Sequence, residues 1–313
     1  PMKEDLSVDY AKAEKLADFL IRNGSDALVV SGTTGESPTL TSEEKLNLFS
    51  AVKGAVGGRA PIIAGTGGND TASSIEFTKK AEKLGVDGCM LVTPYYNKPP
   101  QAGLKRHFSM IAKSTKLPVL LYVVPGRTGV NMLAETTLAL AREHENIVAV
   151  KEASGSLDQA AEIVTGAPKG FSVLSGDDNL TVPLMSVGAD GIVSVASHIC
   201  GNEIHDMVYA FAAGDPKKAA ELHRRLLPVF KAVFINTNPI PVKAALSLVG
   251  ESMKDPGLYW RVNVGGALNL LEACAAAGVK NFVFSSTCAT YGDQDGVLLT
   301  EDTPQRPINA YGG

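Results

Sequence analysis

Short apolar runs that do not alternate with polar residues constrain this chain more than any other feature. DALVV (26–30), PIIAGT (61–66), GCMLVTP (88–94) and PVLLYVVP (118–125) are the first four. NIVAVKE (146–152), FSVLSG (171–176) and GIVSVAS (191–197) complete the series. Each is strand-length and apolar on both faces, the mark of a parallel sheet covered by helices. Amphipathic segments separate them. The one after DALVV opens with Thr41 and Glu44 at the spacing of a capping box. Repetition of this kind leaves a doubly wound sheet or a (β/α)8 barrel. Seven strands precede Pro256, one short of a closed barrel. The chain opens on a loop and helix, PMKEDLSVDYAKAEKLADFL, with no strand ahead of it.

Composition excludes several classes. With 313 residues, 45% hydrophobic, the chain can build a core without disulfide staples. Cys89, Cys200, Cys274 and Cys288 show no paired spacing, so reduced thiols and a cytoplasmic location are expected. Net charge is -4 with both signs interspersed, and no basic tract predicts a nucleic-acid partner. No apolar run is long enough to span a membrane, and no signal peptide stands at the start.

In α/β proteins of this kind the site gathers at the carboxyl ends of the strands. Those ends carry Thr33 and Thr34, Tyr95 and Tyr96, Tyr122 and Arg127, Lys151, and Gly176 with Asp177. Lys151 ends an apolar strand. Desolvation there can lower a lysine pKa by up to about 3–5 units, and a neutral amine attacks carbonyls to form a Schiff base. An ion pair with Glu152 or another carboxylate at the barrel mouth is the alternative. Tyr122 and Tyr96 could relay protons with Thr33 between them; each could equally be a core aromatic with a satisfied hydroxyl. Arg127 could offer its fork to a carboxylate or make a surface ion pair.

GTTGESPTL, TPYYNKP, YVVPGRTG, KEASG, SGDD and NPIPVKAAL stand in an order and spacing that carry a specific likeness. Residues 1 to about 250 resemble the dihydrodipicolinate synthases of the pyruvate-dependent aldolase superfamily. The resemblance implies a (β/α)8 TIM barrel, a homo-oligomer, and condensation of pyruvate with aspartate semialdehyde. It implies no metal or organic cofactor. By position, Lys151 matches the Schiff-base lysine and Tyr122 the acid–base tyrosine. Thr33 and Tyr96 match the remaining proton-relay members, the tyrosine reaching across a subunit interface. Thr34 and Gly176 match positions near the pyruvate carboxylate. Arg127 matches the arginine that receives the semialdehyde carboxylate, and Val193 a pocket-lining position.

Three departures accompany the likeness. The family's opening strand is absent, and its helical tail stops near Ser252. Val123 follows the catalytic tyrosine where asparagine is usual, an expected loss of an amide near the site and of some activity. Residues 258–313 instead resemble the middle of a UDP-galactose epimerase, through NVGGALNLLEA and GVKNFVFSSTCATYG. Thr287 and Tyr311 fall at that family's catalytic positions. The lysine four places beyond the tyrosine is missing, and GTGGND (65–70) does not supply a dinucleotide turn. The tail is therefore not expected to hold NAD. The resulting expectation is a chimera: an aldolase-type barrel over 1–252 and an epimerase-derived segment over 253–313. Within that segment a helix at 262–277 leads into a strand at 281–286, which takes the place of the missing first strand. A separate appendage is the alternative for the fold, and a catalytically dead chimera the alternative for function.

Overall fold

The computed structural model describes residues 1–254. The chain divides into two units, Pro1–Val242 and Lys243–Gly313. The expected strand at 281–286, the helix at 262–277, Thr287, Tyr311, Cys274 and Cys288 lie outside the described residues.

Each apolar run becomes a strand. The first four are β1 (Leu28–Val30), β2 (Ile62–Gly65), β3 (Gly88–Val92) and β4 (Val119–Val123). β5 (Ile147–Glu152), β6 (Ser172–Ser175) and β7 (Gly191–Ile192) follow. Their order in the sheet is the order in the chain, and every pairing is parallel. That settles the choice left open by the strand pattern. A doubly wound sheet reverses its strand order part-way across, whereas a barrel-type sheet does not. The fold is α/β with seven consecutive parallel strands, each of β1 and β7 having one strand neighbour among the described residues.

The helices are α1 (Tyr10–Arg22), α2 (Ser42–Val56), α3 (Thr71–Lys83), α4 (Gln101–Ala112) and the single turn α5 (Pro125–Thr128). Next come α6 (Ala134–Glu143), α7 (Leu157–Gly166) and the short α8 (Thr181–Ser186). α9 (Ser197–Ala212), α10 (Pro216–Ala232) and α11 (Ile240–Lys254) complete the set. Thr41 and Glu44 form the reciprocal capping box expected of them at the start of α2. α9 begins earlier than its apolar pattern suggests, at Ser197, because a kink at Cys200 joins an extra turn to it.

Alternation along each strand sorts the core into two layers. Leu28, Ile62, Cys89, Leu91, Val119, Leu121, Val123, Val150 and Val173 face the helices. Met90, Leu120, Tyr122 and Ala149 face the other way, with Val29, Ile63, Leu174 and Val193 packed beside them. The second layer is the concave interior. Cys89 and Cys200 are buried free thiols, and burial pushes both up to about 12, so they are unreactive packing groups. The helical layer meets itself where the end of α1 abuts α9. A Cβ at Gly201 would stand 2.0 Å from the Asn23 carbonyl oxygen, so only glycine fits there.

Candidate active site

Lys151 and Tyr122 are register partners on β5 and β4, so parallel pairing brings both to the interior layer at the same height. Lys151 is 8% exposed, and its Nζ sits 4.2 Å from the centroid of the Tyr122 ring. The Tyr122 hydroxyl lies 3.5 Å from Thr33 Oγ1, the outer limit of a hydrogen bond, with either group able to donate. Thr33 comes from the turn after β1. Three strand ends thus assemble an amine, a phenol and an alcohol in sequence.

The alternative partner for Lys151 is excluded by the pleat. Glu152 points to the opposite face, where its carboxylate accepts from the Ser154 backbone N–H at 2.6 Å and from Gln159 Nε2 at 2.9 Å. Burial pushes the Glu152 carboxyl up, and those donors pull it partly back. Lys151 makes no ion pair among the described residues. Its negative surroundings come from the loop after β6. Burial raises the Asp177 carboxyl, and the charge of Lys151 partly offsets the rise. Asp178 is fully buried and raised by desolvation. It accepts from Ser194 Oγ and from the Val195 and Ala196 N–H groups at 3.1 and 3.2 Å. One carboxylate thereby clasps the loop after β7 to the loop after β6.

Gly176 sits where a side chain cannot. An added Cβ would lie 2.6 Å from Ala153 Cβ and 3.1 Å from Lys151 Cε. Its N–H donates to the Glu152 carbonyl at 2.7 Å, continuing the β5–β6 ladder. Val193 packs in the interior layer beside Tyr122. Thr34 is half-buried and accepts from Asn238 Nδ2 at 3.0 Å, while the exposed Arg127 donates from Nη2 to the Asn238 carbonyl at 3.0 Å. Arg127 makes no surface ion pair among the described residues. Tyr96 does not join the others within the chain. It is 90% exposed, with a left-handed φ of 70°. Val123 is fully buried in the outer layer, on the face opposite Tyr122. The expected effect of the missing amide on the pocket is therefore corrected, because alternation along β4 turns that side chain to the helices.

Sequence reasoning passed over two residues. Asp178 was hidden beside Asp177 in SGDD, and Asn238 inside NPIPVKAAL. A buried acid reads from sequence as a solvated one until the donors around it are placed.

Comparison with known proteins decides the lineage. The family model described as the dihydrodipicolinate synthetase family matches residues 1–256. The chain belongs to the dihydrodipicolinate synthetase family. A 4-hydroxy-tetrahydrodipicolinate synthase from Desulforamulus reducens is 57% identical over 276 residues, 88% of this chain and 90% of the relative. Among solved members, dihydrodipicolinate synthase DapA-2 of Bacillus anthracis is 53% identical with a TM-score of 0.78, covering 80% of this chain and 85% of its own. The Acinetobacter baumannii dihydrodipicolinate synthase, solved in complex with pyruvate, is 41% identical with a TM-score of 0.77 over 80% of this chain and 86% of its own. A second model, the NAD dependent epimerase/dehydratase family, matches residues 207–313 and overlaps the dihydrodipicolinate synthetase match over 207–256. Among the described residues, no helix is long and apolar enough to cross a membrane.

Proposed function

We propose that this chain condenses pyruvate with aspartate semialdehyde through a Schiff base on Lys151. The observation that carries the reading is a buried amine with no ion-pair partner among the described residues, stacked on a tyrosine whose hydroxyl reaches Thr33. The family membership and a relative solved with pyruvate support the choice of substrate.

In this mechanism the Lys151 amine adds to the pyruvate ketone, and loss of water leaves a protonated imine. That imine is the electron sink. A methyl proton leaves to give an enamine, whose carbon attacks the aldehyde; cyclisation then releases the lysine. Tyr122 moves the protons, with Thr33 and Tyr96 completing the relay. Tyr96 acts from a second copy of the chain, which accounts for its exposure in one copy. Thr34 and Gly176 hold the pyruvate carboxylate, Arg127 holds that of the semialdehyde, and Val193 walls the pocket.

Borohydride reduction in the presence of pyruvate tests the reading. A pyruvyl adduct on Lys151, together with turnover on aspartate semialdehyde, is expected. A folded chain that traps no pyruvate would overturn it and favour a dead chimera.

We further propose that residues 253–313 are an epimerase-derived addition and that 281–286 supply an eighth strand. Two observations favour this: β1 and β7 each lack a second strand neighbour among the described residues, and the epimerase model matches residues 207–313, which include 281–286. Hydrogen exchange tests it. Protection of the 281–286 amides that disappears when β1 is disrupted is expected; free exchange there would end the idea.

A further inference from the structure

We infer that Asn238 is a positioning residue that sets the two carboxylate-binding groups, Thr34 and Arg127. The inference rests on the Schiff-base reading above and gives a role to Asn238, the first residue of NPIPVKAAL, to which that reading assigns none.

Asn238 lies in the turn between α10 and α11, 6% exposed. Its side chain donates from Nδ2 to Thr34 Oγ1 at 3.0 Å, and its backbone carbonyl accepts from Arg127 Nη2 at 3.0 Å. Thr34 follows β1 and Arg127 belongs to α5 after β4, so one residue ties two strand ends that lie three strands apart.

The direction of each bond matters. A hydroxyl that accepts an amide N–H keeps its own proton free to donate. Asn238 therefore turns Thr34 into a donor toward an anionic oxygen. On the other side, one guanidinium N–H engaged by a carbonyl fixes the long Arg127 side chain and leaves its remaining donors for a carboxylate. Ordering that exposed side chain in advance removes part of the entropy lost on binding. Asn238 Oδ1 is buried with no donor among the described residues. An amide tolerated with half its capacity unmet is held by what the other half does.

The test is the pyruvate concentration that gives half-maximal borohydride trapping at Lys151, with melting temperature measured alongside. This readout needs only the first substrate. Asn238→Ala is expected to raise the half-saturating concentration about 10-fold, the equivalent of one hydrogen bond, with the final extent of trapping unchanged. Asn238→Asp is expected to raise it further at neutral pH, because the carboxylate captures the Thr34 proton and repels the ligand. That excess should shrink relative to wild type as pH falls toward about 4, where a protonated aspartate can donate again. In a Thr34→Val background, Asn238→Ala should have almost no further effect.

Folded Asn238 variants with unchanged half-saturation would overturn the inference, as would an undiminished effect in the Thr34→Val background. If the Asn238 variants do not fold, Thr34→Ser and Thr34→Val decide. Near-normal binding in the first and weakening of about 10-fold in the second support the inference, and equal behaviour removes it. Failure of the wild-type chain to trap pyruvate is a different outcome. It sinks the Schiff-base reading itself and leaves Thr34 no carboxylate to hold.

Discussion

Lys151 Nζ stands 4.2 Å from the ring centroid of Tyr122, its register partner on the neighbouring strand. Glu152, the neighbour in sequence, is turned to the opposite layer. In the proposed mechanism Tyr122 supports the lysine with its ring and serves the chemistry with its hydroxyl. The two roles separate in Tyr122→Phe. The ring contact and the fold should survive, leaving melting temperature within a few degrees and pyruvate trapping intact. Turnover should fall by about 10²–10⁴-fold, the usual worth of a positioned proton donor. Steady-state rates beside trapping measure the split.

Gly176→Ala tests how closely the β6 loop is fitted to the amine. The new methyl would meet Ala153 Cβ and Lys151 Cε within contact distance. Overpacking of this kind costs about 1–3 kcal/mol. A lowered urea midpoint and strongly reduced trapping are expected together, because relief of the clash must displace the lysine. Normal trapping in a folded variant would refute the placement.

Asp178→Asn probes the clasp between the loops after β6 and β7. The amide cannot accept from Ser194, Val195 and Ala196 as a carboxylate does. Hydrogen bonds to a charged group are worth about 1.5–3 kcal/mol. A loss of stability of that order is expected on denaturant unfolding, with weaker pyruvate binding because the Val193 wall rests on the released loop.

His107 gives the pH prediction. It is buried on α4, accepts or donates through Nδ1 with Thr71 Oγ1 at 2.8 Å, and has no partner for Nε2 among the described residues. Burial holds its imidazole down to about 4, below the ordinary value of 6.5. Between those values the unfolded chain binds the extra proton, so stability rises with pH there and is lost as pH falls from 6.5 toward 4. The contribution is at most about 3 kcal/mol. His107→Asn should show a smaller drop in melting temperature than wild type between neutral pH and pH near 4. A parallel drop in both would assign the acid sensitivity elsewhere.

Much of the site was legible along the chain. Lys151 and Tyr122 lie near the carboxyl ends of apolar runs and Thr33 in the turn just after one, and in a parallel sheet the ends of such runs lie on one side. The strand pattern alone left barrel and doubly wound sheets open, because both need strands apolar on two faces. Val123 was misjudged for a local reason: adjacency in sequence is opposition across a strand, so its change touches the helices rather than the pocket.

What the sequence by itself determined is the alternation of strand and helix, the capping at Thr41 and Glu44, and the set of polar residues delivered to the strand ends. Strand period, cap chemistry and apolar run length are local properties, and local properties are written in consecutive residues. Only the tertiary structure decided that strand order follows chain order, that Lys151 stacks on Tyr122, and that Asn238 meets both Thr34 and Arg127. Those relations join residues far apart in the chain, and their energies arise from register and burial that exist only once the layers have packed.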